Sequence, residues 1–208
     1  EAYQELAYEI ACVGRHMLGT ERPIGRVECS FYGDLEQFAE WLLPPVIAGM
    51  SPEFDEQEEP EAMGEFLKER GIDTHIREPD SEKSDSYGNS MTIDLISADK
   101  KVKKISVRGT ITENNRVISR IGDFDQLYFM PKGYSLVAVY KDRPGVLAKI
   151  TSACGEADLN IEDIRAPHDE SGELAIAILK TNKKVPADVV RKIREGIEPE
   201  SISAITIP

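Results

Sequence analysis

Apolar residues recur along this chain with two periods, and the switches between them mark its elements. Over residues 1–18, Leu6, Ile10, Val13 and Met17 share one helical face, and Gly19 follows as a stop. No cap precedes Glu1, so the pattern predicts a helix cut from a longer chain. Residues 26–32 alternate Val27, Cys29 and Phe31 against Glu28 and Ser30, the signature of a half-buried strand. Gly33-Asp34 turns the chain. Leu35, Phe38, Ala39 and Leu42 then predict a helix broken at Pro44-Pro45, with residues 46–50 able to resume it. The acidic stretch 51–60 reads as a solvated loop. Ala62, Phe66 and Leu67 mark a short helix ending at Gly71, and residues 72–76 a strand. After a polar stretch turning at Tyr87-Gly88-Asn89, strands are predicted around Met91–Ser97, Lys103–Thr110 and Arg116–Ile121. Strands in such succession predict an antiparallel sheet with helices on one face, an α+β domain over residues 1–132.

From residue 133 onward the pattern tightens. It predicts strand 134–141, helix 144–156, strand 159–166, strand 173–180, helix 186–196 and strand 201–207. Ser171-Gly172 makes the hairpin turn, and Pro186 opens the second helix. This order is the ferredoxin-like βαββαβ arrangement. The sharpest corner lies at Tyr140-Lys141-Asp142-Arg143-Pro144-Gly145-Val146-Leu147, where an apolar strand turns into a helix. Pro144 suits a first helical turn, and Asp142 and Arg143 are the candidate caps before it. Unpaired N–H groups at such a helix start attract anions, including a ligand carboxylate. Asn160 opens the next strand, where it could return to the same mouth.

Charge and composition narrow the function. The 208 residues carry a formal charge of −13, which argues against nucleic-acid and anionic-membrane partners. No apolar run approaches a membrane span, and no signal peptide is visible, so a cytoplasmic protein is expected. Cys12, Cys29 and Cys154 lack metal-ligand spacing and read as reduced thiols. No metal site is expected. The chain has no G-x-G-x-x-G turn, no nucleophile elbow, no H-E-x-x-H and no Cys-x-x-Cys. His16, His75 and His168 have no arguable catalytic partner. No catalytic residue is assigned, and the chain by itself is expected to be catalytically silent.

The corner residues Tyr140-x-Asp142-Arg143-Pro144-Gly145-Val146-Leu147, with Gly155-x-x-x-Leu159-Asn160-Ile161, resemble the ligand-binding corner of an ACT domain, a module that senses amino acids. Upstream, Ser106-Val107-Arg108-Gly109-Thr110, residues 116–125, residues 25–33 and Glu65–Ile72 resemble the intervening, allosteric substrate-binding domain of D-3-phosphoglycerate dehydrogenases. The stretch 55–61 departs from that family's usual Val-Asn-rich segment. The resemblance implies a regulatory fragment of a serine-biosynthesis enzyme: an intervening domain, 1–132, then an ACT domain, 133–208. It implies L-serine or a similar small amino acid as effector, homo-oligomerisation through ACT pairing, and NAD in a catalytic part outside this chain. The alternatives are the intervening-plus-ACT part of an L-serine dehydratase or another enzyme of amino-acid metabolism, and a purely dimerising ACT module.

The expected effector-binding residues are Tyr140, Asp142, Arg143, Pro144, Gly145, Val146 and Asn160. Each also has a plainer reading: Asp142 as a helix cap, Tyr140 as a strand aromatic, Asn160 as a turn residue. A carboxylate, a phenol, an amide and a helix start at one mouth would suit a hydroxylated zwitterion. Lys104, Arg108, Arg116 and Arg120, beside Lys101 and Lys103, form a basic cluster in an acidic chain. It reads equally as an anion site or as a solvated sheet edge.

Overall fold

The computed structural model describes residues 1–55, 60–78 and 87–208. The chain divides into two compact units, Glu1–Gly122 and Asp123–Pro208.

The first unit is organised by helix α1, Ala2–Leu18. Its stripe Leu6, Ile10, Val13 and Met17 is buried, and Ala7, Ala11 and Gly14 extend the buried surface around the helix. Small residues there let neighbours come close. A Cβ on Gly49 of helix α2, Ala39–Met50, would overlap the Tyr8 carbonyl oxygen, and one on Gly109 would stand 2.7 Å from Ile10 Cδ1. The helix ends at Gly19, whose φ of 110° suits glycine. Lys103 closes this end: its Nζ donates to the Met17 carbonyl at 2.8 Å, where a cation also meets the negative helix terminus. Glu9, buried on α1, accepts from Arg116 Nε and Nη2 at 3.0 and 2.9 Å.

Behind α1 lies a five-stranded sheet of β1 Ile24–Phe31, β2 Asp73–Arg77, β3 Ser90–Ser97, β4 Lys104–Thr112 and β5 Asn115–Ile121, in the order β2-β1-β3-β4-β5. The sheet is mixed rather than antiparallel: β1 and β2 run parallel, with Arg26 beside Asp73 and Ser30 beside Arg77. The reason is the connection. A 3₁₀ turn at Gly33–Phe38, α2 and helix α3, Pro60–Arg70, carry the chain back to the end where β1 began, as a parallel pair requires.

Two other expectations need correction. Pro44-Pro45 do not break α2, which runs through both. A proline at either position removes a bond to the carbonyl four residues earlier, and those carbonyls belong to Glu40 and Trp41, both exposed to water. The break comes earlier, at Phe38, where 3₁₀ gives way to α. Within the acidic stretch 51–60, Phe54 is buried and its ring packs 5.2 Å from Phe66 of α3. Residues 56–59, and 79–86 of the polar stretch, lie outside the described residues.

The second unit carries β6 Gly133–Lys141, helix α4 Val146–Glu156, β7 Ile161–Arg165, β8 Leu174–Thr181, helix α5 Ala187–Ile197 and β9 Ser201–Ile207. The sheet order is β7-β8-β6-β9, all antiparallel, which is the βαββαβ arrangement expected. One face presents Leu136, Ala138, Tyr140, Ala175, Ala177 and Leu179 to Ile150, Cys154, Val189 and Ile193 of the helices. On the other face Val137, Ile176 and Ile178 are also fully buried within the single chain. All three cysteines are free and buried. Burial pushes the Cys12 thiol up to about 11 and Cys29 to about 12, and raises Cys154 as well.

Candidate functional site

The corner between β6 and α4 is built by glycine. Gly145 sits at φ 86°, ψ −7°, the third position of a type II turn, with Pro144 before it. The helix therefore starts at Val146, two residues later than its pattern suggests, and Pro144 lies outside it. Neither Asp142 nor Arg143 caps it. Gly145 is the N-cap residue, no side chain bonds the first-turn N–H groups, and no acidic residue stands in the first turn. A helix start in that state presents unpaired donors and a positive dipole end.

Asp142 stands exposed beside this end. Its own N–H donates to the Glu173 carbonyl at 2.9 Å, which pins the backbone to the start of β8. Among the described residues its carboxylate has no ion-pair or hydrogen-bond partner. Tyr140 lies inward, only 2% exposed, on the core face between sheet and helices. Burial, and then the negative charge of Asp142, raise its phenol above the ordinary value, so it stays a protonated donor at neutral pH.

Arg143 has another task. Its guanidinium donates to the Ile197 carbonyl, and Lys149 Nζ donates to that of Gly196 at 3.0 Å. Both cations thus close the C-terminus of α5, a stabilising place for positive charge. Arg143 was expected among the effector residues; the structure commits it to this helix end. The helix termini meeting here have opposite polarity, and only the negative one is neutralised by side chains.

Asn160 is not at this mouth. Its carbonyl accepts from the Asn182 N–H at 3.1 Å, and its own N–H donates to Asn182 Oδ1 at 3.0 Å. That pair sits next to Thr181, which lies opposite Tyr134 at the start of β6, whereas Asp142 follows Lys141 at its end. The two residues are therefore at opposite ends of the sheet, roughly 20–25 Å apart at strand rise. The signal was available in the sequence: an eleven-residue helix advances the chain by roughly 16 Å before the next strand begins. Asn182 was missed altogether, because its role appears only once β7 and β8 are paired.

The basic cluster of the first unit is divided by the sheet. Lys104 and Arg108 alternate with Gly109, whose neighbours are on α1, so they face away from that helix. Arg120 pairs with Arg108 in register and shares that face, while Arg116 lies opposite Ile111 and meets Glu9 and Glu5 on the α1 side. The three that share a face are occupied. Lys104 Nζ stands 2.8 Å from Asp94 Oδ2, and Arg120 donates to Gly122 O and Ser106 Oγ at 2.7 and 2.9 Å. The Arg108 guanidinium stacks 4.0 Å over the Tyr87 ring. Asp94 is 2% exposed and is also held by Arg77 at 2.7 Å. Burial pushes its carboxyl up, but bonds from Lys104, Ser106 and Arg77 outweigh that and leave it below the usual carboxylate range.

Residues 134–195 match the ACT domain family. The chain is also similar to enzymes named D-3-phosphoglycerate dehydrogenase. It is 27% identical to that of Methanocaldococcus jannaschii over 61% of this chain and 24% of the relative. It is 20% identical to that of Bacillus subtilis over 99% of this chain and 38% of the relative. The chain thus spans well under half the length of the relatives it matches. Among solved structures, a formyltetrahydrofolate deformylase from Pseudomonas syringae covers 35% of this chain and 27% of its own at 16% identity and a TM-score of 0.30, too slight a likeness to bear on function. No helix among the described residues is long and apolar enough to cross a membrane, which says nothing of a β-barrel. Among the described residues no cluster of three or more His, Cys, Asp or Glu could hold a metal ion.

Proposed function

We propose that this chain is the regulatory part of a D-3-phosphoglycerate dehydrogenase-type enzyme and that its ACT domain binds L-serine in a site shared between two copies. Oxidation of the phosphorylated hydroxy acid, and the NAD that accepts the hydride, belong to a part of the parent enzyme outside this chain, which has no glycine-rich dinucleotide turn of its own. The observation that carries the reading is the Asp142 carboxylate, unpaired among the described residues, beside the uncapped start of α4. A zwitterion fits that corner. Its ammonium meets Asp142, and its carboxylate meets the N–H groups that open α4 at Val146. The Tyr140 phenol, protonated at neutral pH, lies beneath as a further donor.

Asn160 joins this site from a second chain. One free amino acid is far too small to bridge the ends of a sheet. β7 is an edge strand running from the Asn160 end towards the turn end, and Ile164 on it is 41% exposed. Antiparallel self-pairing of β7 about a two-fold axis at Ile164 sets Asp163 against Arg165 of the partner subunit. It also brings Asn160 of the partner subunit towards the Asp142 turn. Its amide, which both donates and accepts, suits the serine hydroxyl or amine.

Calorimetric titration with L-serine, glycine, L-alanine and L-phenylalanine tests this. Serine is expected to bind best and phenylalanine to be excluded. Asp142→Ala should weaken serine by about 2–5 kcal/mol, and Asn160→Ala by about 1–2 kcal/mol. Mixing the two variants should restore serine binding in half of the sites of each mixed dimer, because one site then has both residues intact. Absence of restoration rejects the shared site. Absence of all amino-acid binding leaves a purely dimerising module, and preference for phenylalanine points away from a serine-pathway parent.

A further inference from the structure

We propose that edge strand β2 of the first unit is a second self-association surface, pairing antiparallel with β2 of another copy about a two-fold axis at His75. This surface is independent of the ACT domain and of any amino-acid effector.

Among the described residues β2 closes one side of the five-stranded sheet and pairs with β1 alone, so its outer edge offers N–H and C=O groups that no described residue takes up. Residues Asp73, Thr74, His75 and Ile76 are all exposed in the chain, so none of the described residues covers this edge. Natural edges are usually blunted by proline, charged side chains or a bulge. β2 has no proline, its register with β1 runs unbroken from Asp73 to Arg77, and its two charged residues are of opposite sign, which repels a strand of one sign but not a reversed copy of itself.

The charges select the partner and the register. Asp73 and Arg77 stand two residues to either side of His75 and on the same face of the strand. Reversal about His75 therefore places Asp73 opposite Arg77 of the partner subunit, and Arg77 opposite Asp73 of the partner subunit. Shifting the register by two loses both pairs. The Asp73 side chain is 76% exposed, and among the described residues its ion-pair partner is Arg26, at 3.6 Å. Arg77 meets Glu28 and Asp94 on the inner side of the strand, so it must turn from them to reach Asp73 of the partner subunit; Lys104 stays within 2.8 Å of Asp94 when it does. On the opposite face, exposed Ile76 would meet Thr74 of the partner subunit. A second copy is the occupant favoured here because a strand bearing Asp and Arg symmetrically about its centre is complementary to itself.

Disulfide trapping tests the proposal at physiological ionic strength, where the mutual repulsion of two acidic chains is screened. Residues directly opposite in an antiparallel pair hold their Cα atoms about 4.5–5.5 Å apart, within the span of a disulfide. His75→Cys, at an exposed position, should therefore give a disulfide-linked dimer on mild oxidation. Thr74→Cys, which faces residue 76 rather than itself, should not. The native cysteines are buried and do not compete. Adding Asp73→Arg to His75→Cys sets two guanidinium groups against each other across the axis, the introduced one and that of Arg77, and should cut the trapped yield about tenfold or more. Ile164→Cys serves as a reporter on the ACT edge, and Asp73→Arg should leave its cross-linking unchanged. Equal trapping at 74 and 75, or trapping at 75 indifferent to Asp73→Arg, overturns the proposal.

Discussion

The two sheets treat charge in opposite ways. On the face of the first sheet turned from α1, Glu28, Asp94, Arg77 and Lys104 are paired among themselves, and Asp94 is buried within that network. The second sheet buries apolar residues on both faces and keeps its notable charge at a corner, where Asp142 has no hydrogen-bond or ion-pair partner for its carboxylate among the described residues. The difference separates structure from recognition. A charge bonded within its own chain must break that bond before it can bind a ligand, whereas an unspent carboxylate at a helix start has nothing to give up.

Packing gives the largest contrast. Gly49→Ala drives a methyl into the Tyr8 carbonyl, a backbone atom that cannot swing aside, so α1 and α2 must separate. It should destabilise the first unit by about 3 kcal/mol in chemical unfolding. Next comes the buried network. Asp94→Ala should cost roughly 1–3 kcal/mol, moderated because Lys104 and Arg77 can turn back towards water. Asp142→Ala should leave stability within about 0.5 kcal/mol while weakening effector binding by about 2–5 kcal/mol. If Asp142→Ala unfolds the protein and Asp94→Ala does not, the contrast is reversed.

Alkaline titration sharpens the picture further. Cys12, Cys29 and Tyr140 all have folded-state values raised by burial. The stability tied to each raised group is complete below its unfolded-state value and is lost as pH rises through the folded one. Melting temperature should thus fall from about pH 9 upward, as the thiols of the unfolded chain begin to ionise. Replacing Cys29 by Ala should flatten that fall. The smallest effect is expected at Gly155, on exposed α4, where an added Cβ meets nothing within 4 Å. Gly155→Ala should stabilise by about 0.5 kcal/mol through helix propensity, the opposite sign to Gly49→Ala.

Periodicity made most elements of both units legible. The α1 stripe, the alternation of β1 and the βαββαβ order all follow from apolar spacing, because burial imposes it. Partners were not legible. Arg116 looks like its neighbours in sequence, yet a β-bulge between Arg108 and Gly109 and the pleat turn it to the α1 face, against Glu9. Arg143 looks like a ligand residue until α5 ends beside it. Asn160 looked adjacent to Asp142 because chain order says nothing about which end of a sheet a residue reaches. Pro44-Pro45 misled for a different reason: a helix tolerates them where the freed carbonyls face water.

The parallel pairing of β1 with β2 also governs how the first unit assembles. β3, β4 and β5 form a meander whose partners lie close along the chain. β1 instead joins β2 about fifty residues downstream and β3 about seventy. Closing those long loops costs entropy before any contact repays it, so the meander is expected to form first and β1 and β2 to join it later. β2, exposed and paired on one side among the described residues, is expected to be the first strand to detach in native-state hydrogen exchange. The sheet edge with the complementary charges is therefore also the part of the unit expected to open first.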